Sequence, residues 1–128
     1  MLKLLEEHLN NIDSIVYDKN QPRGDGTKLI TAHIEKFANE NHFKLELEVF
    51  IGLRRKTNDY RGLVDIIITR PDNTKYAIEI DSSNKKWSLE KLIYANSIGY
   101  IPIWIRWRTK IKIETPSNIN LIDLTKRK

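Results

Sequence analysis

Three acidic residues lie where acidic residues are costly. Asp65 interrupts the apolar run 63–69, and Glu79 and Asp81 interrupt the alternating run 76–81. Ionised carboxylates inside strands of this kind require a basic partner or a bound cation. Glu79 and Asp81 are two residues apart and so leave the same face of a strand. Pro71, Asp72 and Asn73 form a turn between the two runs. A hairpin turning there sets Asp65 opposite either Glu79 or Asp81, and opposed residues of an antiparallel pair point to the same side. All three carboxylates can then converge on one face, where they raise one another's pKa unless neutralised. A hard divalent cation removes that penalty. All-oxygen ligation with retained waters suits Mg²⁺, with Mn²⁺ as a substitute. The competing account pairs each acid with a lysine or arginine, or leaves it at a frayed strand end. For a single acid that account is preferable; three on one face favour the cation.

The elements that must position these acids follow from periodicity. Leu2, Leu5, Leu9, Ile12 and Val16 recur at helical steps. The polar stretch 18–26, with Pro22 and two glycines, ends that pattern. Asp25 or Thr27 then caps a second helix whose inward stripe is Ile30, Ile34, Phe37 and Ala38. From Phe43 to Ile51 the period falls to two, as in a half-exposed strand, and 63–69 reads as a strand covered on both faces. A third strand spans 76–81. Ser88 reads as the N-cap of a further helix, stapled by Trp87 and Leu92 and ended at Gly99. Strands over 100–107 and 119–124 complete the order helix, helix, three strands, helix, strand, strand. A helical crossover between the third and fourth strands makes the fold class α/β, a mixed central sheet flanked by helices.

This arrangement resembles the PD-(D/E)XK nuclease superfamily. The residues that carry the likeness are Asp65, the Glu79-x-Asp81 pair after thirteen intervening residues, the lysine-containing helix that follows, and the strand from Tyr100 to Trp107. The order over roughly residues 27–107 is similar to a restriction-endonuclease-like core (α-βββ-α-β), here with an extra N-terminal helix. The spacing around Ile78 to Ser82 is similar to the branch related to very-short-patch-repair endonucleases. The resemblance implies that Asp65 and Glu79 bind Mg²⁺ and that the backbone carbonyl of Ile80 completes the site. Most members carry a water-orienting lysine where this chain has Asp81, which leaves Asp81 as a further ligand or a base. Lys85 or Lys86 can fold back into the lysine's role, Lys85 by slight preference. Glu35 matches the place of an accessory acidic residue on the preceding helix, and it reads equally as a solvated glutamate. Glu48 is a weaker alternative.

Arg54, Arg55, Lys56 and Arg61 concentrate positive charge between the first two strands, where they can hold a nucleic-acid backbone through its phosphates or form a solvated loop. Trp104 and Trp107 are read as core residues, and residues 126–128 as a frayed tail. Gly24 to Lys28 lacks the spacing of a nucleotide-binding loop and reads as a helix entry. His8, His33 and His42 have no paired ligand spacing, and no serine sits in a nucleophile-elbow motif.

Composition sets the outer limits. The 128 residues make one domain, 1–128, too short for an α/β barrel, and the absence of cysteine excludes disulfides and thiol catalysis. The formal charge of +5 permits a polyanionic partner without identifying one. No targeting stretch or bilayer-length apolar run is visible, so no membrane partner and a cytoplasmic location are expected. The expected function is a Mg²⁺-dependent DNA endonuclease in repair, recombination, restriction or mobile-element traffic, with Holliday-junction resolution as a close variant. A homodimer or a specificity-providing protein partner is compatible with so small a domain. The alternative is a catalytically silent nucleic-acid-binding or protein-interaction module on the same fold.

Overall fold

The computed structural model describes residues 1–11, 23–54 and 61–125; at Arg23, Gly24, Arg54 and Arg61 the backbone alone is described. The elements are α1 (Leu2–Asn10), α2 (Arg23–Glu40), β1 (Lys44–Arg54), β2 (Arg61–Thr69), β3 (Lys75–Asp81), α3 (Lys86–Ser97), β4 (Ile101–Arg106) and β5 (Asn120–Asp123). The strands form one sheet in the order β1-β2-β3-β4-β5. The first three pair antiparallel, while β3–β4 and β4–β5 pair parallel, so the sheet is mixed and the fold is α/β. Among the described residues, no helix is long and apolar enough to cross a membrane.

The β2–β3 hairpin takes one of the two registers that the turn allows, with Ile66 opposite Ile78 and Thr69 opposite Lys75. Asn73 adopts φ 72°, a left-handed conformation that asparagine tolerates, and its N–H donates to Arg70 O at 2.8 Å. Asp72 accepts the Thr74 N–H at 3.0 Å and closes the turn.

Apolar side chains cover both faces. Leu5 and Leu9 of α1 and Ile30, Ile34 and Phe37 of α2 pack against Ile66, Ile78 and Ile103 on one face. Leu89, Leu92 and Ala95 of α3 pack against Val64, Ala77 and Trp104 on the other. Trp104 and Trp107 are both core residues. Ile12 and Val16, expected to continue the first stripe, lie outside the described residues.

Three local expectations require correction. α2 begins at Arg23, before either expected cap, and Asp25 lies within its first turn, where a negative charge complements the helix dipole. Gly26 therefore sits inside the helix: a Cβ there would come within 2.1 Å of the Trp107 ring, so glycine lets helix and ring approach. α3 begins at Lys86 with Lys85 as N-cap, so Ser88 is a buried first-turn residue, not the cap. Its Trp87 lies one turn from Lys91, whose ammonium is 5.9 Å from the indole centroid. Gly99, with φ 103°, ends α3 as expected.

The third concerns β1. Phe43 and Leu45 pack on the α1/α2 face, but Val49 and Ile51 pack on the α3 face. The exchange falls at Glu48, which adopts φ 51°, and the neighbouring Leu47 is left 49% exposed. A strict two-residue alternation cannot anticipate this change of face.

Candidate functional site

The exchange of faces lies level with the acids. The β2–β3 ladder ends at the Ile66–Ile78 pair, one position short of Asp65 and Glu79. Beyond it, side chains bridge the strands. The Asp65 N–H donates to Glu79 Oε2 at 2.8 Å, and the Ile80 N–H donates to Asp65 Oδ2 at 2.8 Å. Each carboxylate thus braces the opposite strand through a main-chain donor, satisfying amides that the ladder no longer pairs.

Glu79 is 1% exposed. Burial, and after it the charge of Asp65, push its carboxyl up to about 8, against the opposing pull of Lys91. Burial also raises Asp65, opposed by the Ile80 N–H and then Lys91. Lys91 comes from α3, is 8% exposed, and sets its Nζ 2.7 Å from Glu79 Oε1. The same ammonium donates to Leu63 O at 2.8 Å. Helix and hairpin are therefore joined by a buried, hydrogen-bonded ion pair.

Asp81 shares the cavity but is engaged differently. Its Oδ2 accepts the Trp104 indole N–H at 2.8 Å, and Lys85 Nζ lies 3.8 Å from its Oδ1. The Lys85 side chain is 62% exposed, so this contact is weaker than that of Lys91. The buried Arg106 guanidinium donates to Asp81 O at 3.1 Å, Asn84 Oδ1 at 3.2 Å and Thr109 O at 2.9 Å, tying the end of β3 to the segment after β4.

Asp65, Glu79, Ile80, Asp81 and Lys85 all line one cavity of about 320 Å³, together with Thr27, Leu63, Trp87, Ser88 and Lys91. Lys86 does not line it. Glu35 and Glu48 line an adjoining cavity of about 530 Å³ with Thr27, Lys28, Thr31, Leu47 and Asp65. Thr27 and Asp65 border both spaces. Arg54 and Arg61 face each other in the β1–β2 register. Their side chains, and all of Arg55 and Lys56, lie outside the described residues.

Among the described residues, no group of three His, Asp or Glu side chains is arranged to hold a metal ion. The donors that can act are therefore Asp65 and Glu79, with the main chain at Ile80. Two carboxylates with room for water suit Mg²⁺, which dehydrates reluctantly and seldom takes an all-protein cage. The donor set is chemically compatible with such an ion, and Asp81, held by Trp104, is not required as a third ligand.

Lys91 was not foreseen, although its signal lies in the sequence. It stands beside Leu92 in a helix whose buried residues include Ser88, Leu89, Leu92 and Ala95. A lysine on an apolar helical stripe requires a carboxylate opposite it. No family model, curated protein or solved structure matches the chain.

Proposed function

We propose that this protein is a metal-dependent phosphodiesterase acting on DNA, built on a restriction-endonuclease-like core. The observation that carries the reading is the cross-braced pair Asp65–Glu79, buried at the point where β2 and β3 separate, with the Lys91 ammonium 2.7 Å from Glu79. In this reading Asp65, Glu79 and the Ile80 carbonyl hold Mg²⁺ or Mn²⁺. The ion, when bound, supplies Lewis acidity toward a phosphate and acidifies its water.

The chain's own residues do the rest. We assign to Lys91 the cationic role that the family pattern puts at the position of Asp81. Its ammonium is fixed from two sides and can orient a water or a phosphate oxygen beside the acids. The exposed Lys85 contributes charge at the rim. Asp81 is a positioning residue that holds Trp104 and, through its carbonyl, Arg106. Glu35 lies in the adjoining space, where it can act on a water shared with Asp65.

A second reading, a silent nucleic-acid-binding or interaction module, draws on one observation: Lys91 and Trp104 already satisfy Glu79 and Asp81 without a cation. Cleavage decides between the two. Supercoiled, linear, single-stranded and branched DNA are incubated with Mg²⁺, Mn²⁺ or chelator. The nuclease reading expects metal-dependent cleavage that Asp65→Asn and Lys91→Ala each lower by at least about a hundredfold. Equal cleavage by Asp65→Asn would overturn the site, and salt-sensitive binding without cleavage would establish the silent module.

A further inference from the structure

We propose that the segment after β4 is a nucleic-acid backbone track, on which Lys110 and Lys112, with Lys86 beside them, hold phosphates of DNA outside the cavity. The inference rests on the DNA reading and adds a contact surface to it. That surface is separate from the carboxylates and from the lysines already paired with them.

Residues 107–119 form neither helix nor strand, yet the start of this segment is held from the interior. The buried Arg106 guanidinium donates to Trp107 O at 3.0 Å and to Thr109 O at 2.9 Å. Thr109 Oγ1 in turn donates to Ser82 O at 2.6 Å. Asn84 fastens the next residues: its Nδ2 donates to Lys110 O at 3.2 Å, and its Oδ1 accepts the Lys112 N–H at 3.1 Å. Between these anchors Arg108 has φ 71°, and the Thr109 N–H donates across it to Trp107 O at 3.0 Å. This is a strained γ-turn that arginine seldom enters, and it persists only where its surroundings over-determine it. A plain surface connection needs neither a buried guanidinium nor such a turn.

What the anchors present is positive charge. Ile111 and Ile113 pack on the α3-side core, while Lys110 and Lys112 are exposed. This alternation stands the two lysines outward on one side, about 7 Å apart along the chain, close to the step between successive phosphates of a strand. Lys86, exposed at the start of α3, follows Asn84 by two residues and joins the same surface. Among the described residues none of these three ammonium groups forms an ion pair, although Glu90 and Glu114 stand near them in sequence. Cations held side by side without acids repel one another, and a polyanion relieves that repulsion. The track also reaches the cavity, because Asn84 directly precedes Lys85, which lines it. One nucleic acid can therefore span both.

The test uses the full chain in chelator, so it depends on neither metal nor cleavage. A short DNA duplex is titrated at several salt concentrations, with binding read by fluorescence anisotropy. Lys110→Ala with Lys112→Ala should reduce the slope of log affinity against log salt by about 2, and Lys86→Ala by about 1. Lys75→Ala, exposed at the opposite end of β3, removes the same charge and should leave the slope unchanged. Asn84→Ala keeps every charge but releases the segment, and should weaken binding about fivefold through the cost of ordering it again. Wild-type slopes in the lysine variants, or an equal fall in Lys75→Ala, would overturn the track. Wild-type affinity in Asn84→Ala would overturn the role of its anchors. Binding to phosphatidylserine vesicles that is tighter than to the duplex and lost with Lys110 and Lys112 would overturn the assignment to nucleic acid. Metal-dependent cleavage with unchanged slopes would remove the track alone. Reduced slopes without cleavage would support the track and remove the nuclease reading alone.

Discussion

At the residue scale, the decisive pair is Glu79 and Lys91. Removing one member of a buried ion pair strands the other, and Lys91→Met should cost about 3 kcal/mol in urea unfolding above about pH 8, where the Glu79 carboxyl is ionised. Replacing both, as Glu79→Met with Lys91→Met, should recover most of that loss. The pH dependence has a definite sign. Burial raises the Glu79 carboxyl from 4.5 to about 8, so between those values the folded chain holds a proton that the unfolded chain has released. Its contribution to stability is complete below 4.5 and is lost as pH rises through about 8. Metal-free protein should therefore show a urea midpoint that falls across that window, and Glu79→Gln should flatten the fall. A wild-type midpoint that rises over the same range would contradict the assignment.

At the element scale, Gly26 tests how α2 is seated. Alanine there gains about 1 kcal/mol of helix propensity, yet its Cβ would enter the Trp107 ring. Overpacking of this kind costs about 1–3 kcal/mol, so Gly26→Ala should lower the thermal midpoint despite its better propensity. The same element illustrates what was legible. Ile30, Ile34 and Phe37 show their inward stripe plainly, and the Asp72–Asn73 turn narrows the partner of Asp65 to Glu79 or Asp81. The start of α2 was less legible because glycine at position 26 looks like a breaker when the ring it accommodates is eighty-one residues away in sequence. Ser88 misled for a related reason: its type suits a cap, but the cavity beneath α3 claims it. The change of face at Glu48 lies level with Asp65, where the β2–β3 ladder has ended, and β1 carries no signature of it. Lys91 is not legible from the strand motif because it reaches Glu79 from within α3, ten residues after Asp81 in sequence.

At the scale of the whole molecule, two linkages follow from the proposed function. A cation bound by the folded chain alone stabilises it by about 2.7 kcal/mol at a hundred times its Kd. Mg²⁺ should accordingly raise the thermal midpoint of the wild type and leave that of Asp65→Asn unchanged. DNA binding should weaken linearly in log affinity against log salt. Arg55→Ala and Lys56→Ala should each reduce the slope by about 1 if these side chains meet phosphates. Slopes unchanged in both variants would remove the basic connection from the interface.

That Lys91 reaches Glu79 from α3 also bears on how the chain acquires its structure. Residues 61–81 form a local hairpin, and local contacts close faster than distant ones. The hairpin can therefore carry Asp65 and Glu79 toward the interior before α3 docks and delivers the ammonium. Until then, proton uptake is the chain's own means of relieving the two charges. Refolding should be faster at mildly acid pH than at alkaline pH, and Glu79→Gln should remove most of that difference in stopped-flow traces. The helix that completes the site would then also act as the latch of the folding reaction.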